Sequence, residues 1–157
     1  MEQIAKVLRE IVQAASEELL MLDAEVVSRR PAPGKWSAKE IIGHLIDSAA
    51  NNHRRFVTAK LKNDLVFDGY QQDEWVRLQG YQSRDWKALV LLWKQYNLHL
   101  AEVIDQVPAE IAFRETRAHN FHQIAWQVVP EGEATTLAYF VEDYVGHLQH
   151  HISQILN

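Results

Sequence analysis

Apolar residues recur at helical spacing in four long stretches of this chain, and polar residues fill the positions between them. This period is typical of α-helices that bury one side and expose the other. It predicts an all-α fold, a four-helix bundle with long connections, in a single domain spanning residues 1–157. The predicted helices run from Gln3 to Val27, from Ala38 to about Asn63, from Arg84 to Gln106 and from Leu137 to Leu156.

Capping residues mark where three of these helices begin. Ser37 and Glu40 have the spacing of a capping box, in which each side chain bonds the backbone N–H of the other residue. Ser83 is predicted to cap the third long helix, and Thr135 or Thr136 the last one.

The connections between the helices are less regular. Residues Gln72 to Leu78 are predicted to form a short helix with Trp75 packed inward. Residues 107–135 show the weak alternation of short extended pieces and end in a proline-glycine turn.

Histidines lie along the margins of two apolar stripes. His147 and His151 are four residues apart on the last helix, so both side chains point to the same side, while His150 points to solvent. His44 occupies the same marginal position on the second helix. Two imidazoles at this spacing can hold one metal ion, and a third inward ligand would complete an open site. The stripes comprise Ile41, Leu45, Ser48, Asn52, Phe56 and Ala59 on the second helix, and Leu137, Val141, Tyr144, Leu148, Ile152 and Ile155 on the last.

Composition narrows the classes of partner. The formal net charge of -5 argues against a general nucleic-acid partner, because phosphate-binding surfaces are basic. No apolar run is long enough to span a bilayer, and the N-terminus lacks the features of a signal peptide. The chain has no cysteine, which fits a reducing cytoplasm and excludes a cysteine nucleophile or thiolate ligand.

Two segments together resemble the DinB/YfiT-like superfamily. The first is Pro33 to Asp47, with the pattern Trp-Ser-x-x-Glu-x-x-x-His, and the second is Asp143 to Ile155, with His-x-x-x-His. The resemblance implies an up-down-down-up four-helix bundle with a divalent metal and a homodimeric state. It implies that the metal ligands are His44, His147 and His151. The identity of the metal is left open among Zn, Ni, Fe and Mn, because it depends on availability in the cell as well as on affinity.

The resemblance also implies a metal-dependent enzyme of the transferase or hydrolase type that acts on a small-molecule substrate. Three imidazoles leave positions where water or a thiol could be activated. Because the chain has no cysteine, a low-molecular-weight thiol would come from a cosubstrate. The residue after His147 is leucine rather than glutamate, which argues against peptide hydrolysis of the zinc-protease type.

Other polar residues are weaker candidates. Asp47 and Asp143 lie one turn from histidines and can orient a ligand or act as a base, although solvated acids are the favoured interpretation. Asn51, Arg55, Tyr70 and Trp75 are candidate pocket residues. The segment containing His119 and His122 can cover the pocket mouth, but a polar loop is the favoured interpretation. The histidines treated as non-ligands are His53, His99, His119, His122 and His150.

Two alternatives to an enzyme stay open. The bundle can be a ligand- or partner-binding protein in which the metal serves structure or sensing. The histidines can also be core residues that bind no metal.

Overall fold

Four long helices form the bundle in the computed structural model, which describes residues 1–156. They are α1 (Glu2–Leu20), α3 (Ala38–Thr58), α5 (Trp86–Asp105) and α8 (Leu137–Leu156). Shorter elements lie between them: α2 (Ala24–Ser28), α4 (Gln72–Gln79), a 3₁₀ turn (Tyr81–Ser83), α6 (Ala109–Ala112) and α7 (Phe121–Ile124). The described residues contain isolated β-bridges but no strand. The predicted all-α class is confirmed.

Contacts at the helix ends define how α1, α3 and α5 run. The indole N–H of Trp86, at the start of α5, donates to the carbonyl of Leu19 at the end of α1, at 2.8 Å. These two helices are therefore antiparallel. The ammonium of Lys60, just after α3, donates to the carbonyl of Val103 near the end of α5, at 3.2 Å. Helices α3 and α5 therefore run in the same direction.

Helix α8 runs opposite to α3. The ring of Phe56, near the end of α3, makes an edge contact with the ring of Phe140 near the start of α8, with centroids 6.1 Å apart. Taken with the contacts of α1 and α5, this gives the order up, down, down, up, as predicted. Because α3 and α5 are parallel, residues 59–85 must cross the length of the bundle.

The core follows the predicted stripes on α3 and α8. The stripe residues of α3 are all buried, and so are those of α8 except Ile155, which is half-buried. The largest fully buried side chains are Trp93, Phe56, Phe121 and Phe140. Among residues 1–156, no helix has both the length and the apolar character needed to cross a membrane.

The first predicted helix is wrong as one continuous element. Helix α1 ends at Leu20, and α2 begins at Ala24 after Asp23, which has an extended backbone. The break turns the chain, so that Val27 is fully buried while Val26 is exposed. If the helical period of α1 is continued through the break, it places Val26 instead of Val27 in the core. The two differ because the helical period starts anew at α2.

Three further predictions about the connections need correction. Helix α3 ends at Thr58 rather than near Asn63. The side chain of Asp85, not Ser83, caps α5 by accepting from the Ala88 N–H at 2.8 Å. Trp75 is 39% exposed, and Val76 is the residue that α4 buries.

The extended pieces predicted for residues 107–135 are reduced to isolated bridges and two single-turn helices. Residue Thr116 pairs with Thr135, and His119 pairs with Leu65. The cap predicted for the last helix is confirmed at Thr136, whose hydroxyl accepts from the Tyr139 N–H at 3.1 Å.

Candidate metal centre

The start of α3 is fixed about two turns before His44. The Ser37 side chain accepts from the Glu40 N–H, and the Glu40 carboxylate accepts from the Ser37 N–H at 2.9 Å, so the predicted capping box is confirmed. Arg30 also binds this carboxylate with two nitrogens. Although burial raises the pKa of Glu40, the hydrogen bonds from Arg30 and Ser37 outweigh it and hold that pKa below its ordinary value.

Three histidines converge where the start of α3 meets the end of α8. His44 Nε2 lies 3.2 Å from His147 Nε2. The ring centroid of His151 is 4.9 Å from that of His44 and 4.6 Å from that of His147. Each of the three offers a ligand nitrogen, and these nitrogens all lie within 4.8 Å of one another.

Trp36 packs against this cluster from the loop before α3. Its ring centroid is 4.9 Å from that of His44 and 6.4 Å from that of His151. His44 itself is fully buried. Trp36 therefore covers the buried ring of His44 on this side.

Burial keeps these imidazoles neutral. Burial, together with the repulsion of His147 and His151, lowers the pKa of His44 to about 3. Burial also lowers the pKa of His147 to about 3, with smaller contributions from His151 and His150. A neutral imidazole keeps a lone pair on one nitrogen, which is the form that binds metal ions.

A hydrogen bond fixes the orientation and tautomer of His151. Its Nδ1 lies 2.8 Å from Oε1 of Gln154, one turn further along α8. Because an amide oxygen only accepts, Nδ1 carries the proton and Nε2 retains the lone pair. Metal-binding histidines are commonly oriented by such a partner on the second nitrogen.

The residues fit a divalent ion. Two nitrogens bound to one tetrahedral zinc, each ~2.0–2.1 Å from it, lie about 3.3 Å apart; the measured separation of His44 Nε2 and His147 Nε2 is 3.2 Å. The buried Nδ1 of His44 has no hydrogen-bond partner among the described residues, so none of them orients this ring through its second nitrogen. The fit to a metal ion therefore rests on the separation of the ligand nitrogens.

A cavity of about 440 Å³ opens beside the histidines. His147 and His151 form one wall from α8, and Ser48, Asn52 and Arg55 form another from α3. The end of α7 and the two residues after it supply a further side, residues 123–126. The site therefore has room for a small molecule next to the imidazoles.

The structure separates the four candidate pocket residues into two groups. Arg55 and Tyr70 line the cavity beside the histidines. Asn51 and Trp75 line a smaller pocket of about 360 Å³, with Tyr70 shared between the two. The Tyr70 and Trp75 rings contact each other, with centroids 5.1 Å apart.

The two candidate acids have different surroundings. Asp47 is only 3% exposed, so its interpretation as a solvated acid is wrong. Its Oδ1 accepts from the Tyr81 hydroxyl at 2.6 Å and from Gln79, while its Oδ2 is buried without a partner. Burial raises the pKa of Asp47, and these two hydrogen bonds oppose the rise. Asp47 is not among the residues that line the cavity.

Asp143 does line the cavity and is half-buried. Its carboxylate accepts from the backbone N–H groups of Trp126 and Gln127 at 2.9 and 2.7 Å. These bonds attach the loop after α7 to α8. Burial raises the pKa of Asp143, partly offset by these two bonds.

The other histidines lie outside the cluster. His119 is buried and serves the loop, because its Nε2 lies 2.9 Å from the Glu133 carbonyl and its Nδ1 accepts from the Phe121 N–H. His53 and His99 contact each other, with ring centroids 4.9 Å apart. The segment that begins at His119 nevertheless borders the cavity further along, through Gln123 and its successors.

Trp126 is the main site residue that the sequence did not reveal. Its ring centroid lies 5.4 Å from that of His150 and 6.3 Å from that of His147, and it lines the cavity. It lies in a segment whose weak alternation does not fix the direction of its side chains, so only its residue type could have drawn attention to it.

The protein is therefore a four-helix bundle with three inward imidazoles beside a cavity. The DinB superfamily family model matches residues 6–155, and the chain belongs to that superfamily.

Two relatives extend the comparison. A protein of Bacillus mycoides (strain KBAB4), named "Putative metal-dependent hydrolase", is 24% identical over 122 residues, which cover 78% of this chain and 64% of the relative. This chain therefore spans less than two thirds of that relative's length. The solved structure of YfiT from Bacillus subtilis, described as "a probable metal-dependent hydrolase with an unusual four-helix bundle topology", superposes with a TM-score of 0.78 at 19% identity. That superposition covers 98% of this chain and 82% of YfiT and supports the four-helix bundle fold.

Proposed function

We propose that this chain is a metal-dependent enzyme of small-molecule chemistry, with hydrolysis as its leading reaction. His44, His147 and His151 hold the divalent ion. The observation that carries the proposal is the convergence of three imidazoles beside a cavity of about 440 Å³. The names given to the two relatives, which both refer to metal-dependent hydrolysis, point in the same direction.

The composition of the ligand set favours a catalytic site over a structural one. Within residues 1–156, the cluster of potential ligands contains these three histidines and no carboxylate. Structural zinc sites are closed by four protein ligands, whereas catalytic sites use three and leave a position for substrate. Imidazole suits zinc, nickel and iron, and the choice among Zn, Ni, Fe and Mn also depends on the metal available in the cell.

A divalent ion would supply Lewis acidity, which lowers the pKa of water or of a thiol and polarises a carbonyl or phosphoryl oxygen. Residues of the chain would orient the ligands and accept a proton. Gln154 holds the ring of His151 in one tautomer. Asp143 is placed to accept a proton from a reacting group, because its carboxylate lines the cavity and burial raises its pKa. Trp126 lines one side of the cavity next to His147.

The proposal is tested by elemental analysis of protein purified without chelators. The wild type is expected to carry about one divalent ion per chain, and His44→Ala and His151→Ala to carry almost none. His150→Ala is the matched control, since it removes an exposed histidine from the same helix and should retain the ion. If the wild type holds no more metal than His44→Ala, the proposal fails.

Catalysis needs a second measurement. The metal-loaded protein is assayed against a panel of small esters and amides, with His147→Ala as the reference. Hydrolysis by the wild type that the variant lacks supports the enzyme. A fully metal-loaded protein that turns over nothing in the panel would favour the non-catalytic, ligand-binding interpretation.

Transfer of a thiol is the second candidate function, and one observation favours it. His151 borders two spaces, the cavity already described and a wider groove of about 1180 Å³ on the other side. That groove is lined by Trp36 and by the basic residues Arg29 and Lys35. A thiol cosubstrate in one space and an electrophile in the other would meet at the histidines.

This second function predicts that a small thiol reaches the ion. Addition of a thiol to the cobalt-loaded protein is expected to produce a sulfur-to-cobalt charge-transfer absorption band. The band should be absent when His151 is replaced by alanine. A cobalt spectrum that does not respond to thiols would rule out thiol transfer and leave hydrolysis in place.

A further inference from the structure

Arg55 is an arginine buried inside the bundle, in the wall of the cavity that adjoins the candidate metal centre. It lies on α3, about three turns after His44, and is only 5% exposed. It lines the same cavity as His147 and His151. Its guanidinium also lies over the ring of Phe140, 5.8 Å from the centroid. A charged group in such a position is uncommon unless it is paired.

The protein does not neutralise this charge. One terminal nitrogen of Arg55 donates to the backbone carbonyl of Asp68 at 2.7 Å, and the other to the side-chain oxygen of Asn52 at 3.3 Å. Its Nε–H is buried without a partner. The carboxylate of Asp68 pairs instead with the neighbouring Arg54, at 2.7 Å. Among residues 1–156, no carboxylate forms an ion pair with Arg55.

The rest of the cavity lining offers Arg55 no carboxylate within hydrogen-bond contact. Asp143 is the one acidic residue among the described residues that line it, and its oxygens already accept two backbone N–H groups. The other residues of the cavity wall near Arg55 are uncharged and include Ser48, Asn52 and the ring of Phe140. Burial raises the pKa of the Tyr70 phenol, so it remains a neutral hydrogen-bond donor.

We propose that Arg55 binds a carboxylate of the substrate, so that the cavity takes a small carboxylic acid whose reactive end lies against the histidines. This inference deepens the proposed function and rests on it for the identity of the reacting centre. A guanidinium donates two parallel hydrogen bonds to a carboxylate, and the single charge of Arg55 matches the single charge of that group. The hydroxyl-bearing residues Ser48 and Tyr70 line the same cavity.

The test is calorimetric titration with benzoate, a small monocarboxylate, on the chelator-treated and on the zinc-loaded protein. We expect the wild type to bind benzoate in both forms and Arg55→Gln to bind it at least about tenfold more weakly. Arg77→Gln is the matched control: it loses the same formal charge, but its guanidinium pairs with Glu74 outside the cavity. It should bind benzoate like the wild type.

The metal-free arm separates this inference from the proposed function. Benzoate binding that depends on Arg55 in the absence of zinc supports the carboxylate site even if the histidines bind no metal. Binding that appears only with zinc and is the same in Arg55→Gln would mean that the ion alone holds the carboxylate, which overturns the role of Arg55. No binding by the wild type in either form overturns it as well.

Arg55→Gln also loses the bond to the Asp68 carbonyl and can be too unstable to titrate. In that case the side-chain Nε–H resonance of Arg55 is followed by NMR in the wild type, assigned through its absence in Arg55→Lys. Benzoate is expected to shift this resonance and to leave that of Arg77 unchanged. An unchanged Arg55 resonance at saturating benzoate would refute the proposal.

Discussion

Gly43 offers the sharpest test of how the candidate site is packed, because a single methyl group there has no room. It lies on α3 beside His44, and the ring of Tyr81 packs directly against its backbone. A Cβ added at this position would lie 2.1 Å from Cδ2 and 2.2 Å from Cγ of Tyr81. Because carbon atoms pack at about 3.5–4.0 Å, the ring would have to retreat by more than an ångström.

The expected cost of Gly43→Ala follows from three opposing contributions. Replacing glycine with alanine inside a helix should stabilise the folded state by about 1 kcal/mol. Overpacking against a buried ring costs about 1–3 kcal/mol. Displacement of Tyr81 also weakens its 2.6 Å hydrogen bond to Asp47, and a bond to a charged group contributes about 1.5–3 kcal/mol. The net change should be a loss of about 2–4 kcal/mol in the free energy of unfolding.

Gly146→Ala provides the matched control on α8, where the glycine precedes His147. A Cβ there would approach Cζ3 of Trp126 at 3.2 Å, at the far end of a partly exposed side chain that can move. The gain in helix propensity should therefore survive, and stability should stay within about 1 kcal/mol of the wild type.

Urea unfolding followed by circular dichroism measures both variants. Equal free energies of unfolding for Gly43→Ala and Gly146→Ala would refute the reasoning, since it assigns the difference to the immobility of Tyr81. A crystal structure of Gly43→Ala with the Tyr81 ring in its original position would refute it as well.

Two further predictions concern the histidines. In the metal-free protein, His44 has a pKa of about 3 when folded and an ordinary pKa of 6.5 when unfolded, so the unfolded state takes up more protons in acid. The stabilisation that depends on neutral His44 is present above pH 6.5 and is lost as the pH falls towards 3. At pH 5.5 the free energy of unfolding should be lower by about 1.4 kcal/mol than at high pH. Urea unfolding with chelator at pH 7.5 and 5.5 should show this loss, and His44→Leu should show less of it; equal losses would contradict the assignment. Separately, Gln154→Leu removes the acceptor of the His151 Nδ1–H and should weaken zinc binding by about 10–100-fold in a chelator competition assay. Unchanged affinity would mean that this hydrogen bond does not orient the ring.

The convergence of the histidines could be predicted because two regular helices carry them. On α3 and α8 the apolar stripe fixes which way every side chain points, so His44, His147 and His151 at the stripe margins had to face the bundle interior. The structure places the three together with ligand nitrogens within 4.8 Å. Their metal binding stays a prediction, as do the homodimer and the cytoplasmic location.

The surroundings of Asp47 could not be read from the same pattern. A helical period describes which residues face the neighbouring long helices, but the crossover between α3 and α5 covers α3 from another side. Gln79 and Tyr81 come from that crossover and bury Asp47. The same crossover exposes Trp75, because the short helix that carries it buries Val76 instead.

The cavity wall formed by residues 123–126 was hidden for a different reason. This segment is held by single long-range contacts rather than by a repeating pattern, such as the bonds from the backbone of Trp126 and Gln127 to Asp143. Each contact depends on where α8 lies relative to the loop. Such information is present only in the folded chain.

Three buried polar residues on α3, Ser48, Asn52 and Arg55, indicate that the cavity was selected for function rather than for stability. They are nearly as buried as the apolar residues Leu45 and Phe56 on the same helix, at positions where an ordinary bundle would place aliphatic side chains. Asn52 satisfies its own amide by donating to the Ser48 carbonyl at 2.9 Å, whereas Arg55 keeps an unpaired N–H. An unpaired buried charge destabilises a fold, and apolar replacements at such sites are often neutral or stabilising. The unpaired N–H of Arg55, in the cavity that adjoins three converging imidazoles, supports the proposal that this residue binds a carboxylate ligand.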